Sequence, residues 1–76
     1  MVFDRIKELV VQEMNIPAEK VSMESKIAED LGADSIDAME LIMGVEEEFD
    51  IEIDNDDAMN IKTIGDLVKL IEKLQK

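Results

Sequence analysis

The chain has 76 residues, which fits one domain spanning 1–76 and leaves no room for a second. Its 20 acidic and 8 basic residues give a net charge of -12, which disfavours nucleic acid as a partner because such binding depends on basic side chains. The absence of cysteine and histidine excludes a disulfide, a thiolate zinc site and a histidine general base, and no apolar run approaches the roughly 18 residues of a membrane span.

The first predicted helix covers residues 2–14, where apolar residues recur at helical spacing. It should end near Asn15, because Pro17 disfavours a helical conformation at Ile16. Residues 15–34 then form an unusually long connection for a compact domain. We expect five apolar residues to hold it against the core: Ile16, Val21, Met23, Ile27 and Leu31. Ser22 and Ser25 are interpreted as ordinary loop serines.

The middle helix is predicted at 35–49, with Asp34 or Ser35 as its N-cap. On a helical wheel one apolar stripe suits the core and comprises Ala38, Leu41, Ile42, Val45 and Phe49. A second stripe holds Ile36, Met39 and Met43, and shares its face with the carboxylates of Glu40 and Glu47. This second stripe either packs beneath a loop or forms an exposed apolar patch with an acidic border, as partner sites do.

The last third of the chain predicts one short helix and one long helix. Residues 50–54 are interpreted as a connector and residues 56–60 as the short helix. The final helix covers 63–75, with Thr63 as N-cap and Asp66 in the position that completes a capping box. The predicted fold is therefore all-α: a small four-helix bundle with three longer helices, one short helix and a long first loop.

The negative charge is concentrated between Lys26 and Lys62. Residues 27–61 contain 13 acidic residues and no basic ones, while the rest of the chain is nearly neutral. Apolar residues interleave these acids, which favours a folded acidic surface over a disordered tail. An EF-hand starting at Asp50 fails, because its sixth and twelfth positions hold Asn55 and Ile61. We expect no dedicated metal site, but weak binding of divalent cations that would relieve self-repulsion.

The segment Gly32–Ile36 holds the best candidate for chemistry. Ser35 stands where loop becomes helix, so its hydroxyl should be exposed beside unpaired backbone N–H groups that favour a phosphate ester. From local spacing alone, a plain N-cap is the favoured interpretation of Ser35. Catalysis by the many carboxylates is disfavoured, because a catalytic carboxyl needs a pocket that shifts its pKa.

The stretch EDLGADSID at 29–37, with MEL at 39–41 and EEEFD at 46–50, closely resembles the acyl carrier proteins of type II (dissociated) fatty-acid synthesis. The resemblance covers the whole chain. It implies a non-catalytic carrier in which Ser35 holds 4′-phosphopantetheine, donated by coenzyme A through a magnesium-dependent phosphopantetheinyl transferase. The thiol of that group would carry acyl chains as thioesters between the enzymes of fatty-acid biosynthesis.

The resemblance also implies partner and pocket residues. Basic-surfaced synthesis enzymes would dock on the middle helix, on a set that includes the second apolar stripe: Asp34, Ile36, Asp37, Met39, Glu40, Met43, Glu46 and Glu47. The acyl chain would be sheltered near Ala38, Val45, Ala58 and Ile61. Such carriers are monomeric and cytoplasmic in bacteria, with mature organellar forms as the alternative.

Three positions depart from the family pattern, and two other functions stay open. Ile36 replaces the commoner Leu, Asp54 stands where Pro is frequent, and Asn55 stands where a docking acid is usual. The last departure weakens any inference about partner contacts at the short helix. The chain could instead be a specialised polyketide or other acyl carrier, or an acidic interaction or cation-binding module without a cofactor.

Overall fold

A computed structural model describes residues 2–75 and confirms the predicted all-α bundle. The predicted domain ends at Met1 and Lys76 lie outside the described residues. The four helices and a short 3₁₀ turn have the following bounds: α1 Val2–Met14, the 3₁₀ turn Ala18–Lys20, α2 Ser35–Phe49, α3 Asn55–Asn60 and α4 Ile64–Leu74. Within the described chain, none of the helices combines the length and the apolar character that crossing a membrane requires.

The core forms where α1 packs against α2 and α4. Its fully buried side chains are apolar and come from all three helices: Ile6, Val10, Leu41, Val45, Ile64, Leu67 and Ile71. Burying each of these side chains contributes roughly 1.5–3 kcal/mol, so this set supplies most of the stabilisation of a small core. The predicted core stripe of the middle helix faces it, with Leu41 and Val45 at its centre.

Two local signals place the ends of the helices as predicted. α1 ends at Met14, and Asn15 follows with a left-handed backbone (φ 56°). At the start of α4, Asp66 N donates to Thr63 Oγ1 and Thr63 N donates to Asp66 Oδ2, each at 3.1 Å. These two bonds form the predicted capping box, which satisfies backbone N–H groups that lack partners within the helix.

The long connection between α1 and α2 is held against the core, with one correction. Val21, Ile27 and Leu31 are buried as expected, and Ile16 is half-buried. The expectation for Met23 is wrong, because the residue is 41% exposed. This residue anchors the loop through its backbone instead: its carbonyl accepts a 2.7 Å hydrogen bond from the Gly65 amide.

The second half of this connection pairs with the segment that leads into α4. The pairing comprises an isolated antiparallel bridge between Lys26 and Thr63, and backbone hydrogen bonds from Ile27 N to Lys62 O (2.9 Å) and from Ile64 N to Ser25 O (3.0 Å). Loop carbonyls thereby satisfy amide groups at the start of α4. The bridge thereby brings Lys26 close to Lys62, the residue before its bridge partner, although the two lysines are 36 positions apart in sequence.

Ser25 is a structural residue rather than an ordinary loop serine. The residue is buried, with only 7% of its surface exposed. The hydroxyl donates to Lys20 O (3.0 Å) and accepts from Ser22 N (3.0 Å). Burial of a hydroxyl is tolerated because both bonds are made, and they stabilise the turn that leads to the bridge.

Candidate functional site

Ser35 is the first residue of α2, and the helix is capped by its neighbour. Asp37 N donates to Asp34 Oδ1 (2.9 Å), while Asp34 N donates to Asp37 Oδ2 (3.3 Å), which completes a capping box. The interpretation of Ser35 as the N-cap is therefore wrong. Its side chain is exposed and is not needed for the cap, so the hydroxyl is available for chemistry at the positive end of the helix dipole.

The turn before α2 brings Ser35 to its position. Gly32 has a left-handed backbone (φ 73°), which favours glycine because it has no Cβ. The next residue, Ala33, is buried and its amide donates to Ile27 O (3.1 Å). The chain is thus anchored two residues before Ser35, so the serine emerges from a defined point of the fold.

A cavity of about 550 Å³ has Ser35 among its lining residues. Its walls come from the long connection, the first half of α2, α3 and the residues just before α4. Apolar side chains form most of it: Ile27, Ala28, Ala33, Ala38, Leu41, Ile42, Ala58 and Ile61. An apolar cavity with one exposed hydroxyl beside it can take a hydrocarbon chain attached through that hydroxyl.

Three of the four residues expected around such a chain line this cavity, and one does not. Ala38, Ala58 and Ile61 are part of the lining, whereas Val45 is fully buried in the core and is not. Val45 lies ten residues after Ser35 on α2, which is about 15 Å along the helix axis. The residue therefore contacts the core at some distance from the serine.

The second apolar stripe of α2 is exposed. Ile36, Met39 and Met43 are 64%, 61% and 58% exposed, so the alternative in which they pack beneath a loop is wrong. Glu40 and Glu47 on the same face are exposed as well. Large apolar side chains bordered by carboxylates are characteristic of a surface that binds partners.

The remaining acids predicted for docking have structural contacts of their own. Asp34 and Asp37 form the capping box described above. Glu46 is half-buried, and its Oε2 accepts a hydrogen bond from the Ile53 amide at 2.8 Å. Glu46 therefore holds the connector after α2, while Glu40 and Glu47 present their charge to solvent.

Two lysines of the cavity were not among the predicted site residues. Lys26 and Lys62 both line it, together with Glu29 and Asp34. The sequence did contain a signal for them, since these two lysines directly flank the acidic segment 27–61. Their proximity could not be predicted, because it depends on the antiparallel bridge.

The segment before α4 that carries Lys62 is also fixed by a carboxylate. The amides of Lys62 and Thr63 both donate to Asp66 Oδ2, at 3.1 Å each. These backbone hydrogen bonds lower the pKa of Asp66, because they stabilise its charged form. Among the residues described, no group of three or more carboxylates is arranged to hold a metal ion.

Comparisons with known proteins agree on one family. The family described as "Phosphopantetheine attachment site" matches residues 4–71. The chain is 54% identical over 71 residues to an acyl carrier protein of Wolinella succinogenes, which covers 93% of each chain. It is 51% identical over 72 residues to an acyl carrier protein of a Sulfurovum strain, with 95% and 96% covered. The solved structure of an Enterococcus faecalis acyl carrier protein has a TM-score of 0.81 at 34% identity, and the match covers 96% of this chain and 92% of that one.

Proposed function

Because the chain belongs to the acyl carrier protein family, we propose that Ser35 is the residue to which its 4′-phosphopantetheine is attached. The chain is a carrier of acyl groups and not a catalyst. The observation that supports this attachment site is the position of Ser35, an exposed hydroxyl on the lining of a large apolar cavity.

The geometry at Ser35 suits a phosphate ester. A phosphopantetheinyl transferase would join Ser35 Oγ to the pantetheine phosphate of coenzyme A. The pyrophosphate bond of coenzyme A breaks, adenosine 3′,5′-bisphosphate leaves, and the hydroxyl proton passes to a base of the transferase. The N-terminus of α2 favours the resulting negative charge, since its N–H groups and dipole point towards it. When attached, the group supplies the thiol that holds an acyl chain as a thioester.

The cavity is the proposed shelter for that acyl chain. Ala38, Ala58 and Ile61 contribute small or flexible apolar surface, and Ile27 and Leu41 extend it towards the core. Each methylene that leaves water contributes roughly 0.8 kcal/mol, so even a short chain gains by entering. A chain held in this way would be protected from hydrolysis between enzymes.

The exposed face of α2 is the proposed docking surface for basic enzymes. Glu40 and Glu47 would steer such partners, and carboxylates raise the rate of encounter more than the strength of the complex. Met39 and Met43 can adapt to partners of different shape, because methionine side chains are flexible. We propose that these partners are the enzymes of fatty-acid biosynthesis and the transferase, met by a monomeric carrier in the bacterial cytoplasm.

The attachment site is tested by intact mass spectrometry. Wild-type chain, Ser35→Ala and the control Ser22→Ala are incubated with coenzyme A, magnesium and a phosphopantetheinyl transferase. Wild type and Ser22→Ala should gain the mass of phosphopantetheine, and Ser35→Ala should gain none. Unmodified wild type would favour an acidic interaction module without a cofactor, and modified Ser35→Ala would assign the group to another residue.

A further inference from the structure

The two lysines that flank the acidic segment both line the cavity that Ser35 lines. Lys26 belongs to the bridge with Thr63, and the carbonyl of Lys62 accepts from the amide of the residue after Lys26. Among residues 2–75, Lys26 and Lys62 are the only basic residues in that lining. The two bases that flank the acidic segment are therefore brought to the lining of one cavity.

The local charges leave these lysines available to an anion. Lys26 Nζ lies 3.8 Å from Glu29 Oε2, a long contact between two exposed side chains that contributes little. Within residues 2–75, Lys62 forms no ion pair. Asp34 lines the same cavity, and its carboxylate and that of Asp37 are engaged in the capping box at the start of α2.

A phosphodiester on Ser35 would bring one negative charge into this setting. Without compensation, it would add to the repulsion from Asp34 and from a segment whose net charge is already -13. Lysine side chains are long and flexible, so ammonium groups on the lining of the same cavity can reach an anion bound to Ser35 Oγ.

We propose that Lys26 and Lys62 pair with the phosphodiester that joins the carrier arm to Ser35. This proposal rests on the attachment at Ser35 proposed above. The pairing would hold the phosphate end of the arm beside the cavity, and the acyl chain at its other end would be the apolar part that enters. The pairing would also account for the two basic residues that flank a segment without any other base.

The test compares apo and holo forms of three proteins. These are the wild type, the double variant Lys26→Gln/Lys62→Gln, and the control Lys69→Gln/Lys73→Gln, which removes the same charge from exposed positions of α4 outside the cavity lining. Both substitutions keep the backbone pairing of the loop. The measurements are the melting temperature of each form and the phosphorus-31 chemical shift of each holo protein.

We expect Lys26→Gln/Lys62→Gln to lower the melting temperature of the holo form by about 2–5 °C more than that of the apo form. The control should change both forms equally. The phosphorus resonance should move in the cavity variant and stay in place in the control, and high salt should reduce the difference. An equal holo–apo difference in both double variants, with an unmoved resonance, would overturn the lysine pairing alone. Failure of wild type to gain the phosphopantetheine mass would instead overturn the attachment and the pairing with it.

Discussion

The contact between Gly65 and the long connection predicts a large effect of a very small substitution. A Cβ at Gly65 would lie 2.9 Å from the backbone carbonyl oxygen of Met23, which is closer than real Cβ contacts allow. That same oxygen accepts the 2.7 Å hydrogen bond from the Gly65 amide. Gly65→Ala must therefore push the loop away and weaken the bond, although alanine itself favours the helix.

The expected cost follows from these two contributions. A hydrogen bond of this kind is worth about 0.5–1.5 kcal/mol, and forcing an extra carbon into a packed contact costs about 1–3 kcal/mol. After subtracting up to about 1 kcal/mol for the helix preference of alanine, Gly65→Ala should lower the free energy of unfolding by roughly 1–3 kcal/mol. In a domain of this size, that lowers the melting temperature by roughly 4–24 °C.

Gly44 provides the matched control, because it is also a helical glycine that is not fully exposed. A Cβ there would meet only Glu13 Oε1 and Leu9 Cδ2, both at 4.0 Å, so there is room for it. Gly44→Ala should raise the free energy of unfolding by about 0.5–1 kcal/mol, since it removes backbone freedom from the unfolded chain.

Urea denaturation of both variants measures these changes, and amide exchange of Ile27 and Ile64 locates them. Exchange at these two amides should speed up in Gly65→Ala, because both belong to the pairing of the loop with α4. A Gly65→Ala protein as stable as wild type would refute the argument from the Met23 contact. Destabilisation of Gly44→Ala would refute the inference that its Cβ has room.

Three further predictions concern charge. Glu40→Lys should slow association with a basic transferase more than Lys73→Glu does, since only Glu40 lies on the proposed docking face. Stopped-flow measurements give both association rates, and equal effects would contradict the proposal that partners dock on this face. Asp66→Asn should remove part of the loss of stability at acid pH, because the pKa of Asp66 is lowered from its usual 3.8 in the folded protein. The stabilisation from the charged carboxylate is therefore present above that pH and is lost as the pH falls through the pKa of the folded state. An unchanged dependence of the melting temperature on pH in the acid range would contradict this. Millimolar magnesium should raise the melting temperature above that in sodium chloride of matched ionic strength, by binding the acidic surface of residues 27–61; equal melting temperatures would argue against such binding.

Much of the fold could be predicted because the signals are local. Pro17 predicts the end of α1, Thr63 and Asp66 predict the start of α4, and apolar spacing predicts the buried faces of the three longer helices. Each of these signals acts over three or four residues, which is the reach of helical hydrogen bonding and capping. The candidate attachment residue was also local, since it stands in the loop-to-helix motif that ends in Asp34 and Ser35.

The tertiary structure decided what depends on pairing between distant segments. Met23 contributes its carbonyl rather than its side chain, and Ser25 is buried because a turn folds back on Lys20. Lys26 and Lys62 meet only because the loop pairs with the segment before α4. No periodicity within either segment carries this information, because the register of such a pairing is set by backbone groups that every residue shares. The acidic segment is thus visible in the sequence, whereas the position of its two flanking bases on the cavity that Ser35 lines is a property of the fold alone.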